Sequence, residues 1–233
     1  MSDLVTTERV GDVAVITFDD GKANALSFEA IDAISAALSA ATTDAKAAVL
    51  IGREGKFSAG FDLSVMTGSA EGAKNLLGAG AELGLQVFSS PIPIVLGVTG
   101  HALAMGAILT TCADYRVGAN GPYKIGLNEV AIGMPVPQFA VDLCRDRIVK
   151  TWFTRCVQHA HICTPDEAVA AGFLDETVAL AEVKARATAL AAQLAATVHP
   201  APFRITRLNI RGALDAELRA GLAADLAKFE LAQ

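Results

Sequence analysis

No basic stretch stands out in these 233 residues: 19 Lys and Arg are outnumbered by 25 Asp and Glu, leaving a net charge of −6. Nucleic-acid binding, which needs a cationic footprint, is therefore disfavoured as a global property. There is no GxSxG elbow and no P-loop, so serine-hydrolase and nucleoside-triphosphatase readings lack their signature. GAGAELG at 78–84 resembles a dinucleotide loop, but its glycines are wrongly spaced and no strand precedes them, which removes the expectation of a nicotinamide cofactor. The four cysteines, Cys112, Cys144, Cys156 and Cys163, include no CxxC pair, and the opening MSDLVTTERV lacks the charged start and apolar segment of a secretory signal. A reducing, cytoplasmic setting is the expectation. HAHIC puts His159, His161 and Cys163 on one side of any strand, yet a closed zinc site needs a fourth ligand, so packing or surface exposure is expected and no metal is assigned.

Charge is also missing from residues 83–113, which contain no Asp, Glu, Lys or Arg and are long enough to span a bilayer. Pro91, Pro93, Gly97 and Gly100 interrupt the run. A buried strand, a turn and a buried helix fit it better than a membrane helix.

With 52% apolar residues the chain can bury a sizeable core, as one domain or one domain with an appendage. DVAVITF (12–18), AAVLI (47–51) and IVLGV (94–98) are short β-branched runs bounded by Gly, Asp or Pro and read as strands. Between the first two, Ser27 is placed to cap a helix whose buried face is Ile31, Ile34, Leu38 and Ala41. Strands alternating with helices imply an α/β fold. Five glycines between 68 and 84 predict a mobile segment. TPDEAVAAG predicts a capped helix ending at Gly172, the spacing of Leu180, Val183, Ala187, Leu190 and Leu194 predicts another, and Leu214, Leu218, Leu222 and Leu226 mark a last one beyond the HPAP break at 199–202. The chain divides on this reading into a core at 1–175 and a helical region at 176–233, either an oligomer surface or a tail folded back on its own core.

Chemistry is expected where strands hand over to helices. KFSAGFDL (56–63) follows one strand and GHALAMGAILTTC (100–112) follows another. Backbone N–H groups at such junctions lack internal partners and point outward, which suits them to a developing negative oxygen. Glu129, in IGLNEVAIGM (125–134), is a carboxylate among apolar neighbours. Such a group is costly unless paired, with Lys124, Arg145 or Arg147 for example, or put to use.

GKFSAGFDL, TGHALAMGAILTTCADYRV and IGLNEVAIGMPVP, in this order, resemble the crotonase superfamily of enoyl-CoA hydratases and isomerases. The resemblance implies a crotonase-like spiral of ββα units with a helical C-terminal region that builds trimers or pairs of trimers, and an acyl-CoA thioester as substrate. No separate cofactor is implied, since coenzyme A is part of the substrate, and neither is nucleic acid, membrane or metal. It implies that the amides of Phe61 and Met105 hold a thioester enolate, and that Lys22, Ala23, Ala59, Asp62 and Leu63 border the CoA moiety. Asp62 can equally be a turn residue, and His101 can touch substrate or only complete its turn. Hydratases of the family carry a glutamate three residues after the second amide donor, where this sequence has Ile108. Their other glutamate falls on Glu129. That pattern resembles the monofunctional Δ3,Δ2-enoyl-CoA isomerases, with Glu129 as single acid/base. A hydratase, a CoA-thioester hydrolase and a non-catalytic acyl-CoA-binding protein are the alternatives.

Overall fold

Short apolar strands with no polar face must be covered on both sides, and helices supply that cover throughout the computed structural model, which describes residues 4–228. β1 (Val5–Val10) and β2 (Val13–Phe18) form an antiparallel hairpin. β3 (Ala25–Leu26) leads into α1 (Phe28–Asp44), where the Ser27 hydroxyl accepts from the Ala30 amide and the predicted Ile31, Ile34, Leu38 and Ala41 are buried.

Three passes follow, each of two or three strands and a helical stretch. The first is β4 (Ala47–Ile51), β5 (Gly55–Ser58), β6 (Gly60–Phe61), α2 (Leu63–Met66) and α3 (Ala70–Phe88). The second is β7 (Ile94–Val98), β8 (Gly100–Leu103) and α4 (Met105–Cys112). The third is β9 (Tyr115–Ala119), β10 (Ile125–Gly126) and α5 (Gln138–Arg147). The chain continues through α6 (Lys150–Val157), α7 (Pro165–Ala171), β11 (Glu176–Val178), α8 (Val183–Thr197) and α9 (Pro200–Lys228).

The first strand of each pass joins a six-stranded sheet in the order β1-β2-β4-β7-β9-β11, parallel except for the β1–β2 pair. The second strands build a separate parallel sheet in the order β10-β8-β5, and β3 pairs with β6. This is the crotonase spiral of ββα units. Ile16, Leu50, Ile94 and Leu96 face one core, while Val15, Val49, Val95 and Val117 face a second one closed by Val183, Ala187, Ala191 and Ala195 of α8. Each such Val, Leu or Ile contributes roughly 1.5–3 kcal/mol relative to exposure.

The glycine-rich segment at 68–84 is not the mobile stretch that its composition predicts. It belongs largely to α3, capped by Ser69, whose hydroxyl accepts from the Gly72 amide. A Cβ at Gly80 would lie 2.4 Å from the Phe61 ring, and one at Gly84 would lie 3.5 Å from both the Cys112 Sγ and the Met105 terminal methyl. Close packing repays the helix cost of glycine, about 1 kcal/mol each. TPDEAVAAG forms the capped helix expected: Thr164 and Glu167 make a reciprocal capping box, and Gly172 closes α7 with φ of 100°.

Residues 1–3 and 229–233, the outer ends of the 1–175 and 176–233 segments, lie outside the described residues. Past residue 175, β11 completes the main sheet and α8 covers it. HPAP is less a break than a start, because Pro200 and Pro202 occupy the first turn of α9, where missing N–H groups cost nothing. α9 lies along α3 and α5, its Arg207 held in a bidentate pair with Asp114 at 2.7 Å. Among the described residues, no helix is long and apolar enough to cross a membrane.

Candidate active site

Because β10, β8 and β5 run parallel, their C-terminal ends share one edge, the place where open parallel sheets present ligand groups. Each end delivers one of the residues singled out from sequence. β5 is followed by Gly60 and Phe61, β8 by Ala104 and Met105, and β10 by Leu127, Asn128 and Glu129.

The first two deliveries are pressed together. A Cβ at Gly60 would lie 2.8 Å from the Ala104 Cβ and 3.4 Å from the Met105 nitrogen, and one at Gly106 would lie 2.6 Å from the Ser58 carbonyl oxygen. Only backbone without side chains fits such an approach. Ala104 takes φ of 50° and ψ of −123°, a costly conformation for a non-glycine residue, and is held in it by donating its N–H to the Gly126 carbonyl at 3.1 Å. The bend starts α4 at Met105 with no side-chain cap. The first N–H groups of that helix therefore have neither an intrahelical acceptor nor a capping hydroxyl. Phe61 and Met105 also share a wall, since the Phe61 ring and the Met105 side chain both lie on the glycine face of α3.

Glu129 is buried to 8% exposure, and its backbone is fixed by a 3-10 turn at Val130–Ile132 and by the Met134 N–H, which donates to its carbonyl at 2.9 Å. Among the described residues no group donates to its buried Oε2. None of the suggested cations is its partner: Arg145 pairs with Asp142, Arg147 with Asp175 at 2.6 Å, and the Lys124 backbone N–H, not its ammonium, is the group in contact, with His101. Burial without a counter-charge pushes the Glu129 carboxyl up to about 7. An unpaired carboxyl that titrates near neutrality can both accept and return a proton. Ile108, one turn along α4 from Met105, is 1% exposed and carries no acid/base group.

His101 lies between Lys56 and Lys124, with its Nδ1 accepting the Lys124 N–H at 3.0 Å and its ring edge-on to Tyr123. Burial, then the two lysines, hold its pKa below the ordinary value. That contact ties the His101 ring to the Lys124 backbone and leaves Nε2 as the N–H side of the ring. Asp62 caps α2, accepting from the Ser64 N–H at 2.8 Å and the Ser64 hydroxyl at 2.7 Å, and that hydroxyl bond is the main reason its pKa is lowered. Leu63 is 70% exposed, Lys22 and Ala59 are exposed, and Ala23 accepts the Ala59 N–H at 3.1 Å.

Sequence reading missed Asn24, which is fully buried with φ of 53° and ties the Lys22 loop to the site. Its Nδ2 donates to the carbonyls of Phe18, Lys56 and Phe57 at 2.8–3.3 Å. Asn tolerates the left-handed region, so the Gly-Lys-Ala-Asn run just ahead of a strand was the available signal. Lys56 was also missed, and Lys124 was considered only as a partner for Glu129, because the two come together beside His101 only through the β5–β8–β10 sheet.

Comparison with known proteins agrees with this geometry. A family model described as "Enoyl-CoA hydratase/isomerase" matches residues 8–233. A solved enoyl-CoA hydratase/isomerase family protein from Pseudomonas syringae is 41% identical with a TM-score of 0.95, covering 98% of this chain and 99% of that one. An enoyl-CoA hydratase structure from Mycobacterium marinum is 36% identical with a TM-score of 0.92, covering 97% of this chain and all of that one (100%). By sequence, human mitochondrial enoyl-CoA delta isomerase 1 is 30% identical over 231 residues, 97% of this chain and 76% of its own length. A match over nearly the full chain, on a fold whose strand ends gather the same three segments that carry the motifs, establishes that this protein is an enzyme of the enoyl-CoA hydratase/isomerase family.

Proposed function

We propose that this enzyme is a Δ3,Δ2-enoyl-CoA isomerase in which Glu129 is the only acid/base. The observation that carries the reading is the buried Oε2 of Glu129, without a partner among the described residues, beyond the same sheet edge that brings Phe61 and Met105 forward. The ionised carboxylate removes a proton from the carbon beside the thioester carbonyl. The resulting enolate oxygen accepts from the Phe61 and Met105 N–H groups. Protonated Glu129 then returns its proton two carbons along, and the double bond moves into conjugation with no other reactant consumed. Lys22, Lys56 and Lys124 place positive charge where the phosphates of CoA would enter, on a chain whose overall charge is negative. Exposed Ile205, Leu208 and Ile210 on α9 support assembly into trimers or pairs of trimers, and a cytoplasmic location belongs to the same proposal.

Hydration of a 2-enoyl-CoA needs a second group to manage the water proton, and Ile108 cannot. General acid/base groups are typically worth about 10²–10⁴-fold, so isomerisation of a 3-enoyl-CoA is expected to exceed hydration of the 2-enoyl ester by at least about 10²-fold. Conjugation is followed by ultraviolet absorbance and the 3-hydroxy product by chromatography. Hydration as fast as isomerisation rejects the assignment and favours the hydratase reading that the Mycobacterium marinum homologue's name suggests.

A pH profile probes the base directly. With the carboxyl pushed up to about 7, kcat/KM should climb as the group ionises, on a limb whose midpoint lies near that value. A profile already flat from about pH 5 upward would assign the base to an ordinary exposed carboxylate instead.

A further inference from the structure

The loop between β2 and β3, residues 19–24, is exposed at Lys22, yet its backbone is tied down. The Asp20 carboxylate accepts from the N–H groups of Lys22, Asn24 and Ala25 at 2.6, 2.8 and 2.9 Å, and Asp19 accepts from the Gly21 N–H at 2.8 Å. Surface loops are mobile by default, whereas one closed on itself in this way is ordered before any ligand arrives. Arg53, in the turn between β4 and β5, joins this loop to the next pass of the chain. Its guanidinium donates to the Lys22 carbonyl at 2.7 Å and is ion-paired with Asp19 at 2.8 Å, while its own carbonyl accepts the Lys56 N–H at 3.1 Å. The Lys56 carbonyl in turn accepts from Asn24 Nδ2 and from the Thr99 hydroxyl, both at 3.3 Å. One residue therefore touches the backbone of both lysines.

The far end of the loop meets the strand that carries the first amide donor. Ala23 accepts the Ala59 N–H at 3.1 Å, and β3 pairs with β6 so that Ala25 lies opposite Gly60 and Leu26 opposite Phe61. We propose that Arg53 is a positioning residue: its side chain holds Lys22, and its backbone Lys56, as a single anchor for the phosphate end of CoA, so that the enzyme selects full CoA esters over thioesters cut off at the pantetheine arm. The inference rests on the reading above that these lysines face the coenzyme's phosphates. With its guanidinium committed to Asp19 and to the Lys22 carbonyl, Arg53 acts through Lys22 and not on the ligand. A loop already locked in shape loses little freedom when a phosphate docks on it, which is where the selectivity arises.

The test uses the full chain and reads affinity by calorimetry, with no turnover required, for butyryl-CoA and for butyryl-pantetheine, the latter by displacement where it is weak. Arg53→Ala and Lys22→Ala are each expected to weaken butyryl-CoA binding by about three- to fivefold, the upper range of an exposed ion pair, and to leave butyryl-pantetheine binding unchanged. The double variant should bind no more weakly than Lys22→Ala alone, because the Arg53 side chain acts through Lys22. On a 3-enoyl-CoA the Arg53→Ala loss should appear in KM with kcat retained. Additive losses overturn the proposal by making Arg53 a direct phosphate contact, and equal losses on the two esters overturn it by making Arg53 a general brace of the fold. Unchanged butyryl-CoA affinity in Arg53→Ala overturns it as well. If Lys22→Ala is also without effect, the lysines do not face the coenzyme, and the Glu129 chemistry stands untouched.

Discussion

Glu129→Gln is expected to lower isomerase turnover by about 10²–10⁴-fold while leaving CoA-ester affinity nearly intact, because the amide keeps the shape but can neither take nor return the proton. The same substitution should stabilise the fold at neutral pH. The folded-state pKa of Glu129 is raised to about 7, above the ordinary glutamate value of 4.5, so the native state binds more protons than the unfolded chain. Its favourable contribution is complete below the unfolded value and disappears as pH rises through the folded one. At pH 7 and above the buried charge therefore costs on the order of 3 kcal/mol, part of which the neutral amide recovers, less whatever its own unpaired N–H groups cost. Urea unfolding of both proteins at about pH 5 and about pH 8 reads the effect: the variant should gain at the higher pH and not at the lower. Equal pH dependence in the two proteins, or a variant that still turns over at the parent rate, is incompatible with a buried catalytic carboxyl at this position.

Gly60→Val should be nearly as damaging to kcat/KM, by a different route. Its Cβ would collide with Ala104 at 2.8 Å and with the Leu103 carbonyl oxygen at 3.1 Å, and the residue's φ of 90° disfavours any side chain. β6 must then move away from the start of α4, separating the Phe61 and Met105 amides. Loss of one donor from an oxyanion hole costs about 10²–10³-fold. The acidic limb of the pH profile should stay where it is, since Glu129 is carried by a different strand. Gly221→Ala, where a Cβ meets nothing within 4 Å, is the matched control and should leave activity unchanged. A Gly60→Val enzyme that remains folded and within about threefold of parent kcat/KM would show that the amide pair is not the catalytic element.

The parts of the fold legible in sequence were those settled locally. Ser27 and the Thr164–Glu167 box mark their helices with their own hydrogen bonds, and the runs at 12–18, 47–51 and 94–98 announce strands by composition. α3 was misread because glycine's helix penalty is local while its compensation, the Phe61 and Met105 side chains, arrives from other passes of the chain. β3, β6 and β10 have two residues each, too short to show a period. At the site, the expectation of a buried Glu129 held for a reason other than the one that motivated it. Its apolar neighbours Val130 and Ile132 are 44% and 56% exposed, so the carboxyl is desolvated by tertiary packing rather than by the residues beside it in sequence.

The parallel alignment of β5, β8 and β10 puts Phe61, Met105 and Glu129 on three separate passes of the chain. The carboxyl and each of the two amides are then separable units, with position 108 riding on the same helix as Met105: one can be exchanged while the ladder hydrogen bonds that aim the others stay intact. A scaffold wired this way can acquire a new reaction through a single replacement at a strand terminus, with no redesign of its interior.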